Sequence, residues 1–340
     1  MKDYITLPNI KRTIIYKNII MLYFGDCFEI LPSINKKIDL VLVDLPYGQT
    51  DNKWDICIDL KKMWIELKNI CSENCNYVFT TTTKHGIQLI NSNPNWFRYD
   101  LVWEKSRSAG YLSCNEAPLR THEMIYIFGN MDTKYLEDIN IREYFKSLLG
   151  YINRPPKEIK QLFGQSDINH CWRFSSIQFA LPTEKNYNQL IQEYKINQME
   201  GFIPYIELKR IVNETKEHKT YNPQMTERKP YKNKEIKKNE GIIINSNYGI
   251  SKRNESINTG TRYPKSILKF QNENKIVHPT QKPVDLLVYL IKTYSNENNI
   301  VLDFTMGSGS TGVACKLTNR QFIGIEKDPA IYFSAVNRLW

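Results

Sequence analysis

The sequence predicts an α/β protein: a parallel or mixed sheet with helices on both faces, plus an inserted helical module. Three observations predict it. Apolar runs of strand length alternate with stretches of helical periodicity towards both ends of the 340-residue chain. One such run, Ile38 to Val43, is apolar almost throughout, as a strand buried on both faces must be, and it stops at Asp44-Leu45-Pro46-Tyr47-Gly48. A glycine-rich segment, Asp303 to Thr311, lies between a further apolar run and a helical one.

Taken in order, Ile19 to Phe24 reads as a strand, Gly25-Asp26 as a turn and Cys27 to Leu31 as the start of a helix. The strand ending at Asp44 follows. Gln49 to Ile58, with Trp54 and Asp55, is polar and aperiodic, hence a loop; Trp54 suits either a lid over a ligand or packing. Ile65, Leu67 and Ile70 belong to a helix from about Asp59, and Thr81 to Asn91 to a second. Tyr77-Val78-Phe79, Tyr99 to Trp103 and Met124 to Phe128 are strands. The alternation breaks after Gly129: residues 131–200 read as helices without strands, and 205–275 as a polar, basic, linker-like stretch. It resumes with Val284, Leu287, Val288 and Ile291 at helical spacing behind Pro283, a good first-turn residue. A strand (Ile300 to Phe304), a helix from Thr311, a strand (Phe322 to Glu326) and a helix (Pro329 to Leu339) close the chain. Neither end piece has enough strands to bury a sheet alone, so the two are expected to share one. The expected divisions are 1–130 and 276–340 for the α/β domain, 131–204 for the helical insert and 205–275 for the basic segment.

The chain carries 46 basic and 36 acidic side chains, a net charge of +10. Such a balance favours a polyanionic partner, although a composition rich in Lys, Asn and Ile accounts for part of it. No apolar run approaches the ~20 residues of a membrane helix, and Met1 to Lys11 lacks the apolar core of a secretory signal. The seven cysteines are scattered; only Cys71 and Cys75 are close, with no second pair at zinc spacing. The expectation is reduced thiols in a cytoplasmic protein, and no metal.

Two strand ends carry chemistry. Asp44 can accept a hydrogen bond, Pro46 stiffens the turn and Tyr47 offers a flat face, which together suit a planar base bearing an amino group. An ordinary strand exit uses the same residue types. At the second end the glycines let the backbone turn sharply against a ligand. Glu326 ends the next strand about 20 residues on, where an acid binds ribose hydroxyls in Rossmann-type folds. Phe304-Thr305-Met306 intervene between strand and glycines, unlike dinucleotide loops, and no P-loop lysine follows. The pattern favours a nucleoside carrier without phosphates.

Asp44-Leu45-Pro46-Tyr47 resembles the D-P-P-Y motif of DNA amino-methyltransferases, and Asp303 to Thr311 resembles their S-adenosyl-L-methionine loop. His278-Pro279-Thr280-Gln281-Lys282-Pro283 is similar to the H-P-T-Q-K-P run that precedes that loop. Catalytic motif first, cofactor loop last and a recognition region between is the order of the beta group, and phage-type members with Asp-Leu-Pro-Tyr-Gly are similar. The likeness covers roughly residues 20–130 and 276–340. It implies a Rossmann-like methyltransferase sheet, S-adenosyl-L-methionine as cofactor and double-stranded DNA as partner. A homodimer and a cognate restriction nuclease are compatible with it, as is a host cytoplasm for a phage-encoded enzyme. By the resemblance Asp44, Pro46 and Tyr47 are catalytic. Asp303, Gly307, Ser308, Gly309 and Ser310 line the cofactor, Glu326 holds its ribose, and Asp26 faces its adenine. Lys282, His278 and Thr280 border its methionine end. The departures are Leu45 and Phe304. Cytosine-N4 members mostly carry Ser in place of Asp44, so adenine-N6 is expected. The alternatives are a cytosine-N4 or RNA enzyme and a DNA-binding protein without turnover.

In the insert, Ile159, Leu162 and Phe163 fall at helical spacing before Gly164. Asp167 can cap a second helix through Asn169, His170, Trp172 and Arg173, and Leu181-Pro182-Thr183 break and cap a third with Tyr187, Leu190, Ile191 and Tyr194. This resembles a helix-turn-helix, with Asn169, His170 and Arg173 at a major groove. A bundle that only packs on the catalytic domain fits the same spacing. The basic stretch from Lys209 to Lys238 either tracks phosphates or is a solvated loop, with Tyr221 to Met225 ordered against the DNA in the first case.

Overall fold

Ten strands form one sheet in the computed structural model, which describes residues 3–5, 12–16, 19–46, 48, 57–129, 132–163, 167–174, 179–216, 220–233, 256–273 and 281–340. Tyr47, Trp54, Asp55, Gly164, His278 and Thr280 lie outside the described residues. Strands β1 (Asp3–Ile5) and β2 (Arg12–Tyr16), which the sequence reading did not anticipate, extend the sheet beyond β3 (Ile20–Phe24), β2 antiparallel to β3 and β1 antiparallel to β2. After α1 (Cys27–Ile30) come β4 (Ile38–Asp44), α2 (Leu60–Ile70), β5 (Cys71–Thr81), α3 (Thr83–Ser92), β6 (Phe97–Ala109) and β7 (Arg120–Gly129). Asp59 and Thr82 cap α2 and α3 through their side chains, which is why these helices start where the polar residue precedes the apolar stripe.

The insert contains α4 (Asp132–Ile152), α5 (Pro156–Phe163), α6 (Glu184–Tyr194) and α7 (Tyr205–Lys216) around a core of its own, with Phe145, Leu148, Ile159, Tyr187, Leu190 and Leu208 fully buried. Leu208 carries this core into α7, so the helical unit continues beyond residue 204, where a boundary was expected. Residues Asp167–Trp172 form a 3₁₀ helix rather than the α-helix expected second in a helix-turn-helix.

The basic stretch is more structured than a linker. It holds short hairpin strands β8 (Thr226–Glu227), β9 (Tyr231–Asn233), β10 (Ser256–Asn258) and β11 (Thr261–Arg262), then β12 (Ile267–Lys269), which joins the main sheet parallel to β6. Within Tyr221 to Met225, Asn222 donates its amide N–H to Thr293 O at 2.8 Å, and its side chain caps the end of the next helix, α8 (Val284–Tyr294). The remaining elements are β13 (Ile300–Asp303), α9 (Ser310–Leu317), β14 (Gln321–Glu326) and α10 (Pro329–Leu339).

The strand order is β1-β2-β3-β14-β13-β4-β5-β7-β6-β12, with β3, β14, β13, β4 and β5 mutually parallel. The two ends of the chain thus complete one sheet. Alternation along β4 divides the core: Val41 and Val43 pack with Met63, Trp64 and Leu67 of α2, and Leu40 and Leu42 with Leu286, Leu290 and Tyr332 on the other face. Pairing β13 with β4 sets Asp303 and Asp44 at neighbouring carboxyl ends, where chain order reverses across the sheet and such folds bind ligands.

Candidate active site

The carboxyl ends of β3, β14, β13, β4 and β5 open into one cavity of about 1360 Å³, its mouth included. Asp26, Asp44, Asp59, Asp303 and Glu326 line it with Lys282, Lys327 and the apolar Phe28, Leu45, Ile58, Leu287, Phe304 and Ile331. Acids outnumber cations, which disfavours phosphates and suits a cationic nucleoside carrier. Asp26, Asp44, Pro46, Lys282, Asp303, Gly307, Ser308, Ser310 and Glu326 therefore share a cavity. Gly309 is not among its lining residues.

Asp44 is held on three sides. Thr80, its partner in the β4–β5 register, donates Oγ1–H to Oδ1 at 2.7 Å. Lys282 Nζ donates to Oδ2 at 2.6 Å. Thr305 Oγ1 donates to the Asp44 carbonyl at 3.0 Å, tying β4 to the glycine loop. Burial raises the Asp44 carboxyl above its ordinary value; Lys282 opposes this and Glu123 adds to it. Leu45 and Phe304, the two departures from the family pattern, are both buried in the core beside Val43.

Lys282 is buried between two carboxylates, Asp44 and Glu123, the latter at 3.2 Å. Glu123 also pairs with Lys105. Burial pushes Glu123 up, but the two lysines outweigh it and hold the carboxyl below its ordinary value. Lys282 therefore pairs with Asp44 and lines the same cavity as the glycine loop.

In the glycine loop Gly307 and Gly309 have φ of 53° and 77°, a region open to glycine at little cost. A Cβ on Gly309 would lie 3.2 Å from Ala335 Cβ and Leu339 Cδ1. Asp303 uses both oxygens inside the loop, accepting from the Thr305 amide at 3.2 Å and from Thr311 Oγ1 at 2.6 Å. Its burial pushes the carboxyl up to about 7, against these two bonds. Glu326 accepts from the Gly307 amide at 3.1 Å and the Asp328 amide at 2.8 Å, and burial raises it too. Asp26 caps α1 through Phe28 N at 2.8 Å. Arg338 donates to Ser310 Oγ at 2.8 Å and Ser308 Oγ at 3.2 Å, and pairs with Glu273, which caps α8 at Val284 N.

Glu123, Glu273, Arg338, Thr80 and Thr305 were missed by sequence reasoning. Glu123, Glu273, Arg338 and Thr80 sit in no motif and act across a strand pairing or a packed helix; Thr305 lies within the glycine-loop motif, but its bond to the Asp44 carbonyl crosses to β4. On the insert, Asn169 and Arg173 line a second, shallow depression with Lys157, Lys160 and Trp172; His170 is not among its lining residues.

A sequence profile of the N6/N4 DNA methylases matches residues 38–337. The type II methyltransferase M.HindIII of Haemophilus influenzae is 45% identical over 86 residues, 25% of this chain and 28% of that protein. The type II methyltransferase M.HpaI of Haemophilus parainfluenzae is 42% identical over 74 residues, 22% of this chain and 24% of that protein. The matched stretches thus span about a quarter of these relatives' length. The M1.HpyAVI–SAM complex aligns with 94% of this chain and 100% of that one, at 17% identity and a TM-score of 0.47, too remote to transfer any residue's role. With a profile match running from β4 to α10, the chain belongs to the DNA methylase family that groups N6 and N4 enzymes.

Proposed function

We propose that this protein transfers a methyl group from S-adenosyl-L-methionine to the exocyclic N6 of an adenine flipped out of double-stranded DNA. One observation carries the reading: the Asp44 carboxylate and the glycine loop open into the same cavity, joined by the Thr305–Asp44 hydrogen bond.

The acid-lined cavity with apolar walls fits the carrier. Glu326 would hold its ribose and Asp26 would face its adenine, with Gly307 and Ser308 at the loop. When bound, the carrier supplies an electrophilic methyl group on a sulfonium. The acceptor amine is the difficulty, because its lone pair is shared with the purine ring. Asp44 accepts one amine N–H and a backbone carbonyl at Leu45 or Pro46 the other, which draws the nitrogen towards tetrahedral geometry and frees the pair. Alignment and preorganised dipoles then do most of the work. After the new N–C bond forms, the nitrogen must lose one proton. Asp44, whose carboxyl burial raises, is placed to take it.

Extruding the base costs a few kcal/mol, part of which stacking on Tyr47 would offset. The duplex backbone would meet the insert at Lys157, Lys160, Asn169 and Arg173, and His170 stays in the proposal as a neighbour of that surface. Adenine is preferred over cytosine because Asp44 stands where the cytosine-N4 members mostly carry Ser. Expression in a methylation-deficient host followed by sequencing of plasmid DNA tests the reading. N6-methyladenine at one recurring site is expected; N4-methylcytosine, or no methylation, overturns it.

A further inference from the structure

Lys282 is more elaborately held than a counter-ion for Asp44 needs to be. A buried ammonium is costly unless carboxylates surround it. One cation already balances one carboxylate, yet Lys282 also meets Glu123 at 3.2 Å, and Lys105 on the far side of Glu123 restores neutrality. The consequence is mechanical. Lys282 can turn from Asp44 Oδ2 and still be paired, because Glu123 keeps its own bond to Nζ. The result is a hydrogen-bond donor and an acceptor 2.6 Å apart at the wall of the cavity.

We propose that Asp44 and Lys282 read two adjacent atoms of the flipped base, Asp44 accepting from the exocyclic amine and Lys282 donating to the unprotonated ring nitrogen beside it on the Watson–Crick edge. This rests on the activity proposed above at the same cavity. In the free protein the two groups satisfy each other. On arrival of the base this one bond is exchanged for two, amine N–H to Oδ2 and Nζ–H to the ring nitrogen. No buried donor or acceptor is orphaned by the exchange.

The pattern discriminates. Flipped bases are read on their Watson–Crick edge. Adenine and cytosine both present an amine next to a bare ring nitrogen there. Guanine and thymine present a carbonyl oxygen next to a ring N–H. Against Asp44 and Lys282 these would set acceptor on acceptor and donor on donor, leaving buried polar groups unpaired. Lys282 is therefore a specificity-determining residue that admits amino bases and rejects keto bases before chemistry begins.

The test uses the full-length protein and duplexes carrying adenine, 1-deazaadenine or 7-deazaadenine at the target position identified by plasmid sequencing. For the wild type, kcat/KM on 1-deazaadenine should fall roughly 10- to 100-fold below adenine, the worth of one good base-reading contact, while 7-deazaadenine stays within a few-fold. In Lys282→Met, adenine should fall by a similar factor and 1-deazaadenine no further, so the preference disappears. Three results overturn the inference: equal wild-type rates on adenine and 1-deazaadenine, loss on 7-deazaadenine alone, or a preference that persists in Lys282→Met, as a merely structural lysine would give. The wild-type comparison needs no variant and decides the matter even where Lys282→Met does not fold. A wild type that methylates adenine without regard to its ring nitrogen sinks this inference and leaves the activity standing; one that methylates no duplex sinks the activity itself.

Discussion

Lys282 Nζ and Asp44 Oδ2 are 2.6 Å apart although 238 positions separate them in the chain. The strand that ends in Asp44 and the segment that leads into α8 therefore meet at one carboxylate.

Asp44→Ala should lower kcat at least ~10²–10³-fold, the range seen when a preorganised hydrogen-bonding group is removed from a reacting atom. Binding of S-adenosyl-L-methionine, measured by calorimetry, should change little, because Glu326 and the Gly307 loop keep their own hydrogen bonds. Wild-type turnover in the variant would remove Asp44 from the reaction.

Glu123→Gln should shift the pH dependence of kcat/KM. The Glu123 charge helps to raise the Asp44 carboxyl. Removing it lets Asp44 ionise at lower pH, so the acid limb of the profile moves to lower pH. A limb that stays in place, or moves up, would mean that Glu123 does not act on Asp44.

Asp303 contributes a pH-dependent stability of known sign. Its carboxyl is raised to about 7 by burial, above its unfolded value, so its contribution is full below the unfolded value and is lost as pH rises through about 7. The thermal midpoint of the wild type should decline across that window. Asp303→Asn, which has no proton to lose, should flatten the decline; an unchanged slope would contradict the assignment.

Gly309→Ala should destabilise the fold by about 1–2 kcal/mol, the cost of a left-handed residue with a Cβ, read as a lower denaturant midpoint. A Cβ there also meets Ala335 and Leu339 at 3.2 Å. Weaker cofactor binding should follow from the displaced loop, not from a blocked cavity. A variant as stable as the wild type would show that the loop relaxes freely.

Lys157→Ala and Lys160→Ala test the insert as a DNA contact. Each should reduce the slope of log K against log salt by about 0.9 if each lysine neutralises one phosphate. An unaltered slope would assign the depression they line to packing alone.

Much of this arrangement was legible in the residues. Asp44 and Glu326 each terminate an apolar strand-length run, and in a parallel sheet such ends gather on one edge. Glu123 was not legible. It sits in His122-Glu123-Met124-Ile125, and reaches Lys282 only because β7 runs antiparallel between β5 and β6, a pairing that no spacing announces. The Asp167–Trp172 segment misled for a different reason. Ile168, Cys171 and Trp172 are buried, and positions three and four apart fit a 3₁₀ turn as well as an α-helix. β12 was hidden because its place depends on tertiary partners: Ser266 O accepts from Val102 N at 2.8 Å, and Phe270 O from Trp103 Nε1 at 3.0 Å.

The chain departs from the sheet after β7 and rejoins it at β12, and these two strands flank β6. The excursion leaves and rejoins the sheet at one margin and is tethered back at Thr220 and Asn222, to Asn76 of β5 and the end of α8, while the strands that shape the cleft lie on the other side of β7. Helices α4 to α7, which precede those tethers, pack around a core of their own, so their length and surface can change from one descendant to the next without shifting Asp44 against Glu326. On the proposed reading, the place on DNA that is modified and the chemistry done there are separately heritable in this architecture.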